Sequence, residues 1–314
     1  MKNLSWLLLS LFAVVALVAA ACGDDDDDAA PDTAGPGNGA VEDAGYAHPE
    51  LLETTETLQA KLGQEGVVVV DLRNREAYED GHIPGAVWYD RTALKDDEDD
   101  TYVIKEADFA EKVGALGIDN DTWVVAYDDG NGLWATRFWW VLSYYGHKDA
   151  SVLNGGFAKW QADGGEVTKQ IVEPSPATFV TRPDEKEICA LDYVLEQVAS
   201  ERDDVVILDV RSAAEYTGAD VRAKKGGHIP GAVNLDWVNS LTGDPPVWKD
   251  AATLRKQFRD VGIDEDTEVI TYCQTAVRAA HTFFTLRLVG LGQARNYDGS
   301  WYEWGNNPDT PIEQ

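Results

Sequence analysis

The sequence predicts an α/β fold built twice over, each unit a parallel β-sheet flanked by helices on both faces. Three observations carry this. Short apolar runs alternate with helix-period segments along the chain, the pattern of parallel strands joined by crossover helices. The run VVVVDLRNREAYEDGHIPGAVWYD (67–90) returns as VVILDVRSAAEYTGADVRAKKGGHIPGAVNLD (205–236), and self-similarity at this spacing marks duplicated domains rather than a solenoid. A cysteine, Cys273, ends a strand-like run at the place where open α/β sheets bind their ligands.

A chain of 314 residues, 44% hydrophobic and 10% aromatic, can bury the cores of about two domains. It opens with Lys2 and the apolar stretch WLLLSLFAVVALVAAAC, a charged region, an apolar region and small residues that together read as an export signal over residues 1–21. Ala19, Ala20 and Ala21 before Cys22 resemble a bacterial lipobox, in which the cysteine carries the lipid. Such a lipid anchors a chain to a membrane without spanning it, which places the protein in the cell envelope, on the periplasmic or extracellular face. Residues 22–46, with five consecutive aspartates and repeated Gly, Ala and Pro, bury too little apolar surface to fold and are expected to serve as a tether.

The formal charge is −30, from 26 basic and 56 acidic residues. Removing Lys2 and the eight acids of 23–45 leaves 25 basic against 48 acidic residues, net −23. Acidity therefore belongs to the whole surface, suits a salty medium and excludes nucleic-acid binding, which needs a basic footprint. The three cysteines, Cys22, Cys189 and Cys273, form no disulfide framework. Five scattered histidines show no zinc spacing.

The first unit is placed at 47–167 and the second at 188–314, joined by a linker with three prolines (168–187). Strands are expected at VVVVDL, WVVAY, VVILDV and EVITY; helices at TLQAKL, FAEKVGALG, YVLEQVAS and LRKQFRDVG. Asp71, Arg73 and His82 of the first copy pair with Asp209, Arg211 and His228 of the second, which inserts eight residues before its GHIPGAV. Asp71/Asp209, Arg73/Arg211 and Glu76/Glu215 read as a buried ion-pair scaffold behind the loops, and His82 and His228 as side chains bonded to backbone in Gly-Pro turns. Trp139, Trp140, Trp301 and Trp304 read as core or interdomain aromatics.

The chemistry is expected at TYCQTAVRAAHTFF (271–284). Backbone N–H groups of Gln274, Thr275, Ala276 and Val277 can curl around the sulfur of Cys273 with a helix dipole behind them, favouring thiolate. Arg278 adds planar donors for an oxyanion. The first copy carries Asp128 at the cysteine position and reaches its own arginine, Arg137, later. A carboxylate is no sulfur nucleophile, so this unit is expected to be catalytically silent. His281 reads as a polar residue on the helix face, and Cys189 as inert.

DLRNREAYEDGHIPGAV, DVRSAAEYTGA…GGHIPGAV, CQTAVR and NYDGSWYEWGN together resemble the two-domain sulfurtransferases of the rhodanese superfamily, over about residues 47–314. The resemblance implies two rhodanese-like domains, the first silent with aspartate in place of the nucleophile. It also implies sulfur transfer from thiosulfate, through a Cys273 persulfide, to cyanide or a thiol, with neither a metal nor an organic cofactor. The neutral residues 274–277 match neither the basic loops of thiosulfate enzymes nor the Gly/Ser loops of mercaptopyruvate enzymes, so 3-mercaptopyruvate stays open as the donor. A non-catalytic sulfur carrier is a further alternative. A phosphatase would place its arginine six residues after cysteine; here position 279 is alanine and the arginine falls at five. The implied partners are a small anionic donor and a thiophile, with a monomer expected because two fused units complete one cleft.

Overall fold

The computed structural model describes residues 44–200 and 202–314. The expected export signal, Cys22 and most of the tether lie outside the described residues. The end of the expected tether is docked: Tyr46 is buried, and its hydroxyl donates to the Lys249 carbonyl at 2.8 Å.

The first unit runs β1 (Leu52–Glu53), α1 (Thr55–Lys61), β2 (Val67–Asp71), α2 (Arg75–Asp80) and β3 (Val87–Trp88). It continues with α3 (Glu106–Ala115), β4 (Trp123–Tyr127), α4 (Leu133–Tyr144), β5 (Ala150–Leu153) and α5 (Gly156–Ala162). The second has β6 (Ile188–Cys189), α6 (Leu191–Ala199), β7 (Val205–Asp209), α7 (Ala213–Tyr216) and β8 (Val233–Asn234). A hairpin follows, β9 (Leu241–Thr242) and β10 (Val247–Trp248), then α8 (Ala251–Asp260), β11 (Glu268–Tyr272), α9 (Val277–Leu288), β12 (Ala294–Tyr297) and α10 (Ser300–Trp304).

Both sheets are five-stranded and parallel, ordered β1-β5-β4-β2-β3 and β6-β12-β11-β7-β8. The expected α/β class and its duplication are present. The strands read as continuous apolar runs because helices cover both faces. Val124, Val125, Val269 and Ile270 have no exposed surface.

A repeated polar triad fixes the turn behind each site. Arg73 pairs with Asp71 at 2.6 Å, donates to the Gly81 carbonyl at 2.7 Å, and Tyr127 donates to the same carboxylate at 2.6 Å. Arg211, Asp209, Gly227 and Tyr272 repeat this with distances of 2.5, 2.7 and 2.6 Å. Each Asp–Arg pair is buried, and its carboxyl oxygens are met by the arginine side chain and backbone N–H and by the tyrosine hydroxyl, which offsets the cost of burial. His82 and His228 stack on Tyr78 and Tyr216, with Nδ1 bonded to the backbone carbonyl of those tyrosines at 2.8 and 2.9 Å.

The Glu76/Glu215 pairing needs correction. The spacing that joins Asp71 to Asp209 and Tyr78 to Tyr216 sets Ala77, not Glu76, opposite Glu215; Glu76 is exposed while Glu215 is buried. One helical position rotates a side chain by about 100°, enough to move it from core to solvent.

The stretch 168–187 is no loose spacer. Thr168 bridges to His82, Ala177 donates to the Gly114 carbonyl, and Phe179 meets Phe109 edge-on. One hydrophobic core runs through both units, with α4 and α9 packed side by side and Trp139 edge-on to Phe284.

Candidate active site

β4 and β11 end at Tyr127 and Tyr272, so Asp128 and Cys273 are each the first residue beyond a central strand. Each then enters a short loop whose last residue is left-handed, Gly132 at φ 74° and Ala276 at φ 58°, and that residue caps a twelve-residue helix. The packing around the two loops also repeats. Phe157 and Ala158 donate backbone N–H to the carbonyls of Asp128 and Asp129 (2.9 and 3.0 Å). Trp301 and Tyr302 do the same for Cys273 and Gln274, both at 2.9 Å.

The contents of the two cradles differ. In the first unit the Asp128 carboxylate accepts from the N–H of Gly130, Gly132 and Trp134 at 3.0, 3.0 and 2.9 Å, and from Ala135 at 3.4 Å. The anion cradle is filled by its own side chain. Burial pushes the Asp128 carboxyl up in pKa, against the pull of those four donors.

In the second unit Ser300 takes over part of the role. Its Oγ accepts from the N–H of Cys273 at 3.2 Å and Ala276 at 3.1 Å, and donates to the Tyr297 carbonyl at 2.8 Å. Ser300 itself is buried at φ 48°, a conformation costly for a residue with a Cβ. Its counterpart Gly156 has φ 53°, and a Cβ there would lie 2.6 Å from the Asp128 carbonyl oxygen. Serine at 300 and glycine at 156 therefore track which cradle holds the cysteine and which is filled by its own carboxylate. Comparing NGGFAKW with YDGSWYEW residue by residue exposes this exchange, a signal the sequence reading passed over.

Cys273 is 1% exposed and unbridged. Gln274, Thr275 and Arg278 are partly exposed; Ala276 and Val277 are buried. The first N–H groups of α9 point from the helix end toward the loop, free of helix acceptors. Arg278 forms two hydrogen bonds to Glu215, 2.7 and 2.9 Å. Burial works against its charge, but Glu215 and the Cys273 sulfur outweigh this and raise its pKa. Burial also pushes Glu215 up, yet the Arg278 hydrogen bonds and charge bring it down to about 2. Ser212 and Glu215 close a capping box on α7, which aims the carboxylate at Arg278.

The inserted segment of the second unit lies beside this loop. The Gln274 amide donates to the Arg222 carbonyl at 3.2 Å, and the Arg222 guanidinium lies 3.6 Å from Glu215. Lys225 ties the same segment to the Thr310 carbonyl at 2.6 Å. The sequence shows the insertion and a buried role for Glu215, but neither the contact of the inserted segment with Gln274 nor the pairing of Glu215 with Arg278 was anticipated from it.

Arg137 does not correspond to Arg278. Counting from the two left-handed caps, Trp134 matches Arg278 and Arg137 matches His281. Arg137 crosses to the second unit, pairing with Asp298 at 3.0 Å and donating to the Ala276 carbonyl at 3.4 Å. His281 is fully buried, stacked on Trp248 with centroids 4.9 Å apart and edge-on to Trp237 at 5.0 Å. Neither ring nitrogen has a partner of normal hydrogen-bond geometry, and burial pushes its pKa down to about 3, against a weak backbone contact with Asn131. It is a packed interdomain residue, not a solvent-facing polar one.

Cys189 is buried, and burial pushes its thiol up in pKa. Trp139, Trp140, Trp301 and Trp304 are buried. Among the described residues no group of three or more His, Cys, Asp or Glu is placed to hold a metal ion.

The profile of the Rhodanese-like domain matches residues 54–163 and again 192–307. The chain is 37% identical to the sulfur carrier protein TtuD of Thermus thermophilus, across 85% of this chain and 98% of that one. It is 37% identical to a thiosulfate sulfurtransferase of Corynebacterium glutamicum (85% and 92% covered), and 34% identical to one of Pseudomonas aeruginosa (84% and 97%). Among solved structures, wild-type EanB superposes with a TM-score of 0.78 at 26% identity, covering 85% of this chain and 70% of that one. The chain belongs to the rhodanese-like family, as a tandem of two such domains.

Proposed function

We propose that the protein is a thiosulfate sulfurtransferase that carries sulfane sulfur on Cys273. One observation supports this most: two copies of one strand–loop–helix cradle, of which one is filled by the Asp128 carboxylate and the other holds a thiol. The Cys273 thiolate attacks the outer sulfur of thiosulfate. The S–S bond breaks, sulfite leaves with the electron pair, and a cysteine persulfide remains. A thiolate or cyanide then attacks the outer persulfide sulfur and Cys273 leaves as thiolate, so no outside oxidant or reductant is needed. The N–H groups of Gln274, Thr275, Val277 and Arg278 stabilise charge on the transferred sulfur, and Arg278, held by Glu215, orients donors at the rim.

Intact-mass measurement after thiosulfate exposure tests this. The expected gain is one sulfur atom, about 32 Da, reversed by cyanide with release of thiocyanate and lost in Cys273→Ser. Full turnover by Cys273→Ser would sink the assignment. Because the loop between Cys273 and Arg278 is neutral, 3-mercaptopyruvate is the alternative donor, and a higher kcat/KM with it would replace thiosulfate. One loading event without steady thiocyanate production would make the chain a carrier.

The lipobox-like AAAC at 19–22 supports export and lipid attachment at Cys22. A mature N-terminal peptide that begins at Cys22 and carries acyl mass is expected; an unmodified start elsewhere would overturn it.

A further inference from the structure

The helices that carry the two cradles at their N-termini run side by side, and their other ends border a second cleft. It has a volume of about 670 Å3 and is lined by Lys148, Lys186, Glu187, Arg287 and Arg295, among others. A smaller cavity of about 180 Å3 adjoins it, sharing Lys148 and Arg287 and adding His147. By the rise of α9, its floor is about 18 Å from the cysteine loop.

Buried polar atoms without partners gather here. Glu187 is 3% exposed; its Oε1 accepts from Lys148 at 2.6 Å and Ser143 at 2.9 Å, while its Oε2 has no partner. The buried Nε of Arg287 is also unpartnered. Such a group is costly to leave unmet, and a cluster around a cavity points to a polar occupant.

The charge balance says which kind. Four cations line the larger cleft against Asp184, Glu187 and Glu268, in a chain of net −30. Glu268 is taken by Arg295 at 2.8 Å. Lys186 has no ion pair among the described residues, and Arg287 reaches Glu187 only at 3.5 Å. The last carbonyls of α9 do not compete for a cation, since Leu288 accepts from Ala47 and His48, and Val289 from Arg255. Unspent positive charge beside an unpartnered carboxylate oxygen matches an anion that also brings a proton.

We propose that this cleft binds a protonated oxyanion, hydrogen phosphate, with Arg287 and Lys186 on its oxygens and Glu187 accepting its hydroxyl. Sulfate, fully ionised at neutral pH, offers no such proton and is expected to bind more weakly. The site is independent of the sulfur-transfer assignment.

Calorimetric titration of the full chain with inorganic phosphate at constant ionic strength tests it. Saturable binding is expected, weakened about tenfold, or 1.4 kcal/mol, in Arg287→Gln and in Lys186→Ala, and unchanged in Arg278→Ala. Lys186 is exposed, so its variant separates lost binding from lost folding. Absence of saturable binding overturns the site. So does binding lost in Arg278→Ala and kept in the other two, because phosphate would then sit in the cysteine cradle. Equal affinity for sulfate overturns the role given to Glu187.

Discussion

Glu215 holds Arg278 through two hydrogen bonds of 2.7 and 2.9 Å, one carboxylate to one guanidinium, with Glu215 only 1% exposed. The cation beside Cys273 is thus not free charge. It is an oriented group whose charge is largely balanced from behind, which makes Arg278 a donor of directed hydrogen bonds more than a collector of anions.

Arg278→Ala leaves a buried carboxylate without its partner and is expected to cost about 3 kcal/mol in chemical denaturation. The double variant Arg278→Ala/Glu215→Ala recovers part of that loss. Glu215→Gln keeps the shape but loosens the arginine, so kcat for thiosulfate falls more than KM rises. A double variant as unstable as the sum of the singles would show that the pair is not coupled.

Ser300→Ala removes the acceptor for two loop N–H groups. A stability loss of about 1–2 kcal/mol is expected, with kcat/KM down on the order of tenfold or more as the loop slackens. Persulfide still forms, because the nucleophile is intact. Mass spectrometry and steady-state kinetics on one preparation separate the two effects, and unchanged kinetics would remove Ser300 from the positioning machinery.

Asp128→Ala strips the acceptor from four backbone donors in the first cradle. The expected cost is roughly 3 kcal/mol or more, with thiosulfate still loading one sulfur per chain. If Asp128→Ala melts like the parent protein, the carboxylate is not what holds that loop.

Stability should depend on pH through His281. Its pKa is about 3 in the folded protein, below the unperturbed histidine value of about 6.5. Between these values the unfolded chain holds a proton that the folded chain refuses. Stability therefore falls as pH drops through this window, by up to about 1.4 kcal/mol per pH unit. Glu215 acts in the same direction lower down: its contribution is full above its ordinary range and is lost as pH falls toward about 2. Denaturant titrations of the protein and His281→Phe from pH 7 to about 4 check this, and parallel curves would refute the His281 contribution.

Much of the site was legible in the chain because a duplication supplies its own comparison. VVVVDLR against VVILDVR gives the central strands, and the GHIPGAV copies fix the turns behind the cradles. Asp128 opposite Cys273 tells which unit lacks a nucleophile. Less visible was anything set by helix register. Glu76 looked equivalent to Glu215, and Arg137 to Arg278, because residue type drew the eye where one turn of helix decides the facing. The exchange of Gly156 for Ser300 lay in plain sight, but its meaning depends on a hydroxyl meeting two N–H groups from a segment more than twenty residues earlier in the chain.

The sequence by itself determined the α/β class, the duplication, the family and a cysteine at a strand-to-helix turn, since these depend on local period, composition and order along the chain. Tertiary structure alone decided which carboxylate faces Arg278, which hydroxyl steadies the cysteine loop and which arginine crosses between units. These are contacts between segments far apart in sequence, and their identity follows from how helices rotate and pack against two sheets, which no local pattern encodes.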